Sequence, residues 1–220
     1  RMNASIVALT NDKAEFSVKL CQMVKLISDG KQLKMSKRSG DFITIRELVD
    51  EVGSDSIRFM MLYRKNEAPL EFNFQKVTEQ SKDNPVFYVQ YSHARCCSVL
   101  RQATEMFAAD KISSEALKKS KFEYLVDPAE ISLIKLMASW PNILEGAAMA
   151  REPHRIAYYL QDLSASFHSL WAKGAKKNTS LRFLSKDDLP LTLARLAMVK
   201  ALTIVIASGL EVMGIEPVQE

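Results

Sequence analysis

Apolar positions fall into two regimes along this chain. From Phe16 to Ile27 they alternate with polar ones often enough to predict a β-strand, and Asp29-Gly30 follows as a hairpin turn signal leading into Lys31 to Lys34. From about Gln75 onward the spacing becomes helical. Helices are predicted over 85–108, over 128–150 with a break at Pro141, over 153–173 and over 190–213. Between the two regimes, Thr44 with Glu47 has the form of a capping box, so a short helix should start there and stop near Gly53. Ser54 or Asp55 then caps another. Residues 41–75 therefore read as a helical connector, and the chain as mainly α: a helical bundle preceded by a short β-hairpin. No internal repeat or low-complexity tract is visible.

The helix from Pro85 carries two distinct faces. Val86, Val89, His93, Cys96, Leu100, Ala103 and Phe107 recur at three-four spacing, as a buried seam does. His93 lies within that seam and reads as a hydrogen-bonded core histidine without chemistry. Tyr88, Tyr91 and Arg95 stand at i, i+3 and i+7, roughly opposite. Two aromatic rings and a guanidinium so placed can form a platform for unstacked bases and phosphate, or can pack on a neighbouring helix. Phe167-His168-Ser169-Leu170-Trp171 closes another amphipathic helix, where both large rings can equally be core. Lys173, Lys176, Lys177 and Arg182 follow in a predicted loop, solvated unless phosphates meet them. The helix from Leu191 to Val212 is apolar around most of its circumference, which suits the central member of a bundle.

Composition narrows the function classes only a little. With 220 residues and 47% apolar content the chain can bury one or two cores, and disorder is excluded. Net charge is only +4, but residues 1–40 hold eight Lys/Arg against three Asp/Glu while 41–80 hold five against eight, so the basic surface is local. Cys21, Cys96 and Cys97 form no CxxC pair, which speaks against zinc and a disulfide framework and for a reducing, cytoplasmic setting. The most apolar segment, Ala201 to Leu210, is ten residues between Lys200 and Glu211, too short for a bilayer, and the start of the chain lacks a signal pattern. A soluble protein is expected.

The chemistry concentrates in Lys34-Met35-Ser36-Lys37-Arg38-Ser39-Gly40. Two ammonium groups three residues apart can neutralise charge on polyphosphate oxygens, and the Ser36 hydroxyl adds a donor. Short basic runs are more often solvated turns, but the ordered tetrapeptide Lys-Met-Ser-Lys arises by chance in only about one chain of this length in a thousand. The string resembles the KMSKS loop of class I aminoacyl-tRNA synthetases, and the longer form through Asp41-Phe42 resembles that of bacterial arginyl-tRNA synthetases. Asp55-Ser56-Ile57-Arg58-Phe59 resembles the family's DALRY-type helix opening. Asp83 to Arg95 is very close to its tRNA-contacting segment, and Gly214-Ile215-Glu216-Pro217-Val218 looks like its C-terminus.

This resemblance, running from Phe16 to the last residue, implies a division into 1–75, the end of a catalytic domain with the lysine loop and connector, and 76–220, a DALR-type anticodon-binding bundle. It implies an ATP- and magnesium-dependent ligase joining arginine to tRNA(Arg) through an arginyl-adenylate. Lys37, Lys34 and Ser36 would act in catalysis, and Lys34, Met35, Ser36, Lys37 and Gly40 would form the nucleotide-binding loop. Tyr88, Tyr91, Arg95 and Phe167 would meet the tRNA, with Gln80 to Pro85 as the loop approaching the anticodon. No metal ligand is assigned within the chain, no membrane is involved, and a monomer is expected. Every arginine codon has G in its middle position, so one pocket for a central cytosine can serve all the tRNAs.

The sequence departs from the family in one large respect. Its histidines, His93, His154 and His168, all lie downstream of the lysine loop, so a HIGH-type motif is missing. With Arg1 in place of an initiator Met, the chain reads as the C-terminal portion of a longer synthetase, inactive alone. The competing expectations are a tRNA-binding module with a vestigial lysine loop, and another class I synthetase such as the cysteinyl or methionyl enzyme. Asn84 to Arg95 argues against the last.

Overall fold

In a computed structural model of the chain, residues 2–33, 43–177 and 179–220 are described. The lysine loop, with Lys34, Met35, Ser36, Lys37 and Gly40, lies outside the described residues. Helix α1 (Met2–Thr10) and an extended run precede the hairpin of β1 (Val24–Ser28) and β2 (Lys31–Gln32). Asp29 and Gly30 form its turn, both with positive φ, and the antiparallel register pairs Ile27 with Gln32 and Ser28 with Lys31. Then follow α2 (Ile45–Val52), α3 (Ser54–Tyr63), β3 (Leu70–Asn73) and α4 (Phe74–Thr78). The bundle comprises α5 (Pro85–Met106), α6 (Ser114–Lys118), α7 (Pro128–Ala138), α8 (Trp140–Ala150), α9 (His154–Ala172) and α10 (Leu189–Val212).

Two expectations about strands are corrected. The predicted strand from Phe16 is confined to Val24–Ser28, because β3 offers only the partners Leu70 to Asn73 and the ladder begins at Val24. Upstream, Val18, Leu20 and Met23 stay exposed. The connector also contains β3, which pairs parallel to β1 and gives the sheet order β2-β1-β3. Its four residues alternate too briefly to signal a strand, although Leu70 and Phe72 point inward.

Helix starts follow local chemistry. Thr44 Oγ1 accepts from the Glu47 N–H at 3.2 Å while Glu47 Oε2 accepts from the Thr44 N–H at 2.7 Å, the reciprocal capping box. The next helix is instead preceded by Gly53, without a side-chain cap, and Ser54 is already helical. Asn84 caps α5 by accepting from the Val86 and Phe87 N–H groups, and donates to the Val77 and Glu79 carbonyls. That closes the corner between α4 and α5. The break expected at Pro141 falls at Ser139, and Pro141 sits in the first turn of α8, where a missing N–H costs nothing.

Two cores result. A small one joins Leu26, Leu48, Val52, Phe72, Phe74 and Val77 from the sheet, α2 and α4. The large one fills the bundle with residues such as Val89, Leu133, Leu163, Phe167, Leu202 and Ile206, and α3 contributes Phe59 to it. Met60 packs against both. Among the described residues α10 is the one helix long and apolar enough, by length and composition, to cross a membrane, a span longer than the ten residues counted from the sequence. Half of its most apolar window is buried within the protein, as befits a central bundle helix. It also carries a charge into the core: Arg195 Nε donates to Glu130 Oε1 at 2.6 Å, and Arg195 Nη1 donates to the Ser180 and Arg182 carbonyls at 2.6 and 2.8 Å.

The end of α10 is set by Gly214, whose φ of 71° is costly for other residues. The Gly214 N–H donates to Glu211 O and the Ile215 N–H to Leu210 O, a Schellman closure with buried Ile215 against Leu210. The tail then turns back over α3 and α5. Its Glu216 N–H donates to Asp55 at 3.3 Å, Gln90 brackets it through Glu216 O and the Val218 N–H, and His93 Nδ1 donates to Val218 O at 2.7 Å. His93 is thus the hydrogen-bonded core histidine expected. Removing one partner of the buried Arg195–Glu130 pair strands the other: Arg195→Met should cost about 3–5 kcal/mol, read as a lower urea midpoint, and a loss under about 1 kcal/mol would contradict this account.

Candidate nucleic-acid interface

Packing of α9 on α5 builds one cluster from the residues singled out on α5. Phe167, Leu163 and Leu170 form the inward seam of α9, each fully or nearly fully buried, so His168 and Trp171 fall beside the seam and face α5. There the imidazole of His168 lies 4.6 Å from the Tyr88 ring centroid and 5.5 Å from that of Tyr91. The Arg95 guanidinium carbon sits 4.3 Å above the Tyr91 ring and 4.7 Å from the Trp171 ring, a cation between two aromatic faces. Arg95 also donates to Tyr91 Oη and, at 3.2 Å, to His168 Nδ1. Phe87 stacks on Tyr91 with centroids 5.7 Å apart.

The structure therefore brings Tyr88, Tyr91 and Arg95 together, as their spacing suggested. It does not bring Phe167 to the surface. That ring is 0% exposed and packs against Trp171 and Phe183, a core position beneath the cluster. Tyr88 is half-buried against α9, whereas Tyr91 is 40% exposed and keeps reachable ring surface. Sequence reasoning assigned nothing to Phe87 or His168. The i, i+3 offset of His168 from Trp171, flanking the Leu163-Phe167-Leu170 seam, is the signal that could have found the pair.

Around this cluster opens a cleft of about 540 Å³, lined among others by Tyr91, Arg95, Arg101, Gln102, Trp171 and Glu220. Arg101 donates to Gln219 O at 2.9 Å, fixing the tail along one rim. A second cavity, sharing Gln102 and Trp171 with the first, is lined by Gly174, Ala175, Leu181 and Arg182, where the π-helical turn Lys173–Lys177 meets the turn Thr179–Leu181. Gly174 lets these two approach, since a Cβ there would meet Leu181 O at 2.7 Å. Lys173 and Arg182 are exposed beside it, the first in the helical turn and not in the loop predicted. Two of the five N–H donors of Arg95 are engaged by His168 and Tyr91, which leaves others to meet a ligand. Aromatic faces, free guanidinium donors and neighbouring cations suit a single-stranded nucleic-acid segment. Among the described residues no cluster of His, Cys, Asp and Glu could hold a metal ion.

The bundle is an all-helical domain with an aromatic and cationic cleft, and the chain belongs to the DALR anticodon binding domain family, whose description matches residues 89–220. Over all 220 residues it is 56% identical to the arginine–tRNA ligase of Parvibaculum lavamentivorans, and over 221 residues 52% identical to that of Rhodospirillum rubrum. The chain spans 37% of the length of each. Among solved structures, one described as an arginyl-tRNA synthetase from Campylobacter jejuni superposes over 100% of this chain and 44% of its own, with a TM-score of 0.78 and 27% identity. The Thermus thermophilus arginyl-tRNA synthetase covers 90% of this chain and 34% of its own, with a TM-score of 0.64 and 26% identity.

Burial, seconded by the Arg95 charge, pulls the His168 pKa from 6.5 down to about 4. The folded protein thus holds a neutral imidazole where the unfolded chain takes up a proton. Its contribution to stability should be complete above about pH 6.5, fall as pH drops towards about 4, and change no further below that. Urea denaturation of wild type and His168→Asn across this range checks it: the wild type should lose stability relative to the variant on acidification, and parallel curves would refute the assignment.

Proposed function

We propose that this chain forms the tRNA-handling end of an arginine–tRNA ligase, binding the anticodon loop of tRNA(Arg) across the Tyr91–Arg95–Trp171 cleft. The observation that carries this reading is the identity above 50%, over the whole chain, to ligases of that name. The two-core architecture supports a division near residue 75, with the sheet and connector as the end of a catalytic domain and the bundle as the anticodon reader. Tyr88, Tyr91 and Arg95 are the proposed tRNA contacts. A central anticodon cytosine, common to all arginine tRNAs, is the proposed occupant of the cleft, and a reducing, cytoplasmic setting is the proposed location.

The lysine loop is the chain's proposed contribution to amino-acid activation. ATP with Mg²⁺ would supply the adenylyl group that activates the arginine carboxylate, with pyrophosphate leaving, and would be held mainly by the part of the ligase that the relatives have beyond this span. Lys37 would neutralise charge developing on the phosphate oxygens, with Lys34 and Ser36 assisting and Met35 and Gly40 completing the loop. The connector helices link the two functions: α3, whose Asp55 and Arg58 touch the C-terminal tail, follows directly on α2 and the loop.

Two measurements test the proposal. In the full-length ligase, Lys37→Ala should lower the rate of ATP–pyrophosphate exchange on the order of a hundredfold or more while leaving tRNA affinity intact, as for a contact made in the transition state. A wild-type exchange rate would remove Lys37 from the site. Tyr91→Ala should weaken tRNA(Arg) binding by about 1–3 kcal/mol, the worth of one stacked base. Equal affinities of the two proteins would exclude Tyr91.

A further inference from the structure

His168 belongs to no motif, yet its ring touches every polar member of the cluster on α5. Arg95 Nη1 lies 3.2 Å from Nδ1, and Ser92 Oγ lies 2.9 Å from Nε2. A guanidinium has donors only, so Nδ1 must be the acceptor and the ring proton must sit on Nε2. Nε2–H then donates to Ser92 Oγ, and the Ser92 hydroxyl passes its own proton to the Tyr88 carbonyl at 3.0 Å. Ser92 is fully buried and cannot exchange this partner for water. The chain of donors runs in one direction from Arg95 through His168 and Ser92 to the α5 backbone, and it fixes both the tautomer and the ring plane.

We infer that His168 is a positioning residue for RNA recognition: its Nδ1 lone pair holds the Arg95 guanidinium in the aromatic slot between Tyr91 and Trp171, aimed into the cleft. The inference rests on the reading of that cleft as the tRNA site. Without the imidazole acceptor, Arg95 retains Tyr91 Oη and two ring faces, none of which specifies the direction of its remaining donors. A protonated ring could not serve, since both nitrogens would donate and two cations would face each other. The burial that keeps His168 neutral near neutral pH is therefore part of the device.

The variants separate this role from simple packing. His168→Phe keeps an aromatic ring of similar size but offers no acceptor, whereas His168→Asn places Oδ1 where Nδ1 stood. Affinity for tRNA(Arg), measured on the chain, should fall about tenfold in His168→Phe and recover to within about threefold of wild type in His168→Asn. Arg95→Gln should also weaken binding, and adding His168→Phe to it should cause no further loss, because both changes remove the same aimed group. The NMR resonance of the Arg95 Nε–H, recorded without RNA, should keep its wild-type position in His168→Asn and move towards that of a free arginine in His168→Phe. Wild-type affinity in His168→Phe alongside a weakened Arg95→Gln overturns the positioning role while leaving the cleft as the tRNA site. Losses that multiply in the double variant do the same. Unchanged binding in both Arg95→Gln and Tyr91→Ala overturns the site itself, and the inference with it.

Discussion

A guanidinium held between two aromatic rings is the constraint from which the rest of this site follows. Arg95 cannot be placed there by α5 alone, because Tyr91, one turn earlier, covers only one of its faces. The second face and the acceptor come from α9, through Trp171 and His168. The site therefore exists only if α5 and α9 pack in one register, and the Leu163-Phe167-Leu170 seam enforces it by filling the core with side chains that leave no room for another. Phe167 supports the cluster from the core beneath it. A buried ring beneath Trp171 keeps that indole upright against Arg95.

The surroundings of the cleft are fixed by polar contacts that sequence proximity does not suggest. Arg195 of α10 gathers the Glu130 carboxylate and two carbonyls of the 180–182 turn, so the charge at the start of α7 and the turn behind Phe183 share one anchor. On the other side the C-terminal tail is tied to Asp55, Gln90, His93 and Arg101. A chain end that touches both the connector helix α3 and the bundle helix α5 joins the two cores mechanically. Asp55 and Arg58, at the opening of α3, are where the tail and the connector meet.

Much of the fold was legible because its signals are local. The Thr44–Glu47 box, the Asp29-Gly30 turn, the three-four seam of α5 and the apolar girth of α10 each depend on residues within a few positions of one another. Strand β3 was not legible, since four residues carry too little alternation and their partner lies more than forty positions upstream. Phe16 to Met23 shows the converse, an alternating pattern without a neighbouring strand to satisfy it. In the site, spacing on α5 found Tyr88, Tyr91 and Arg95. It could not decide which ring of the Phe167–Trp171 stretch turns inward, because that depends on where Phe183 packs. The role of His168 is a property of its environment, as burial and a cation select its neutral tautomer. For the lysine loop, the residues themselves remain the whole basis of the proposal.

The most direct test of the central claim follows the cluster itself while tRNA(Arg) is titrated onto the chain. The account predicts that the NMR signals of the Trp171 indole N–H, the Arg95 Nε–H and the Tyr91 ring move together and saturate with the anticodon stem-loop alone. Saturable binding that leaves these three unmoved and shifts another face of the bundle would contradict it.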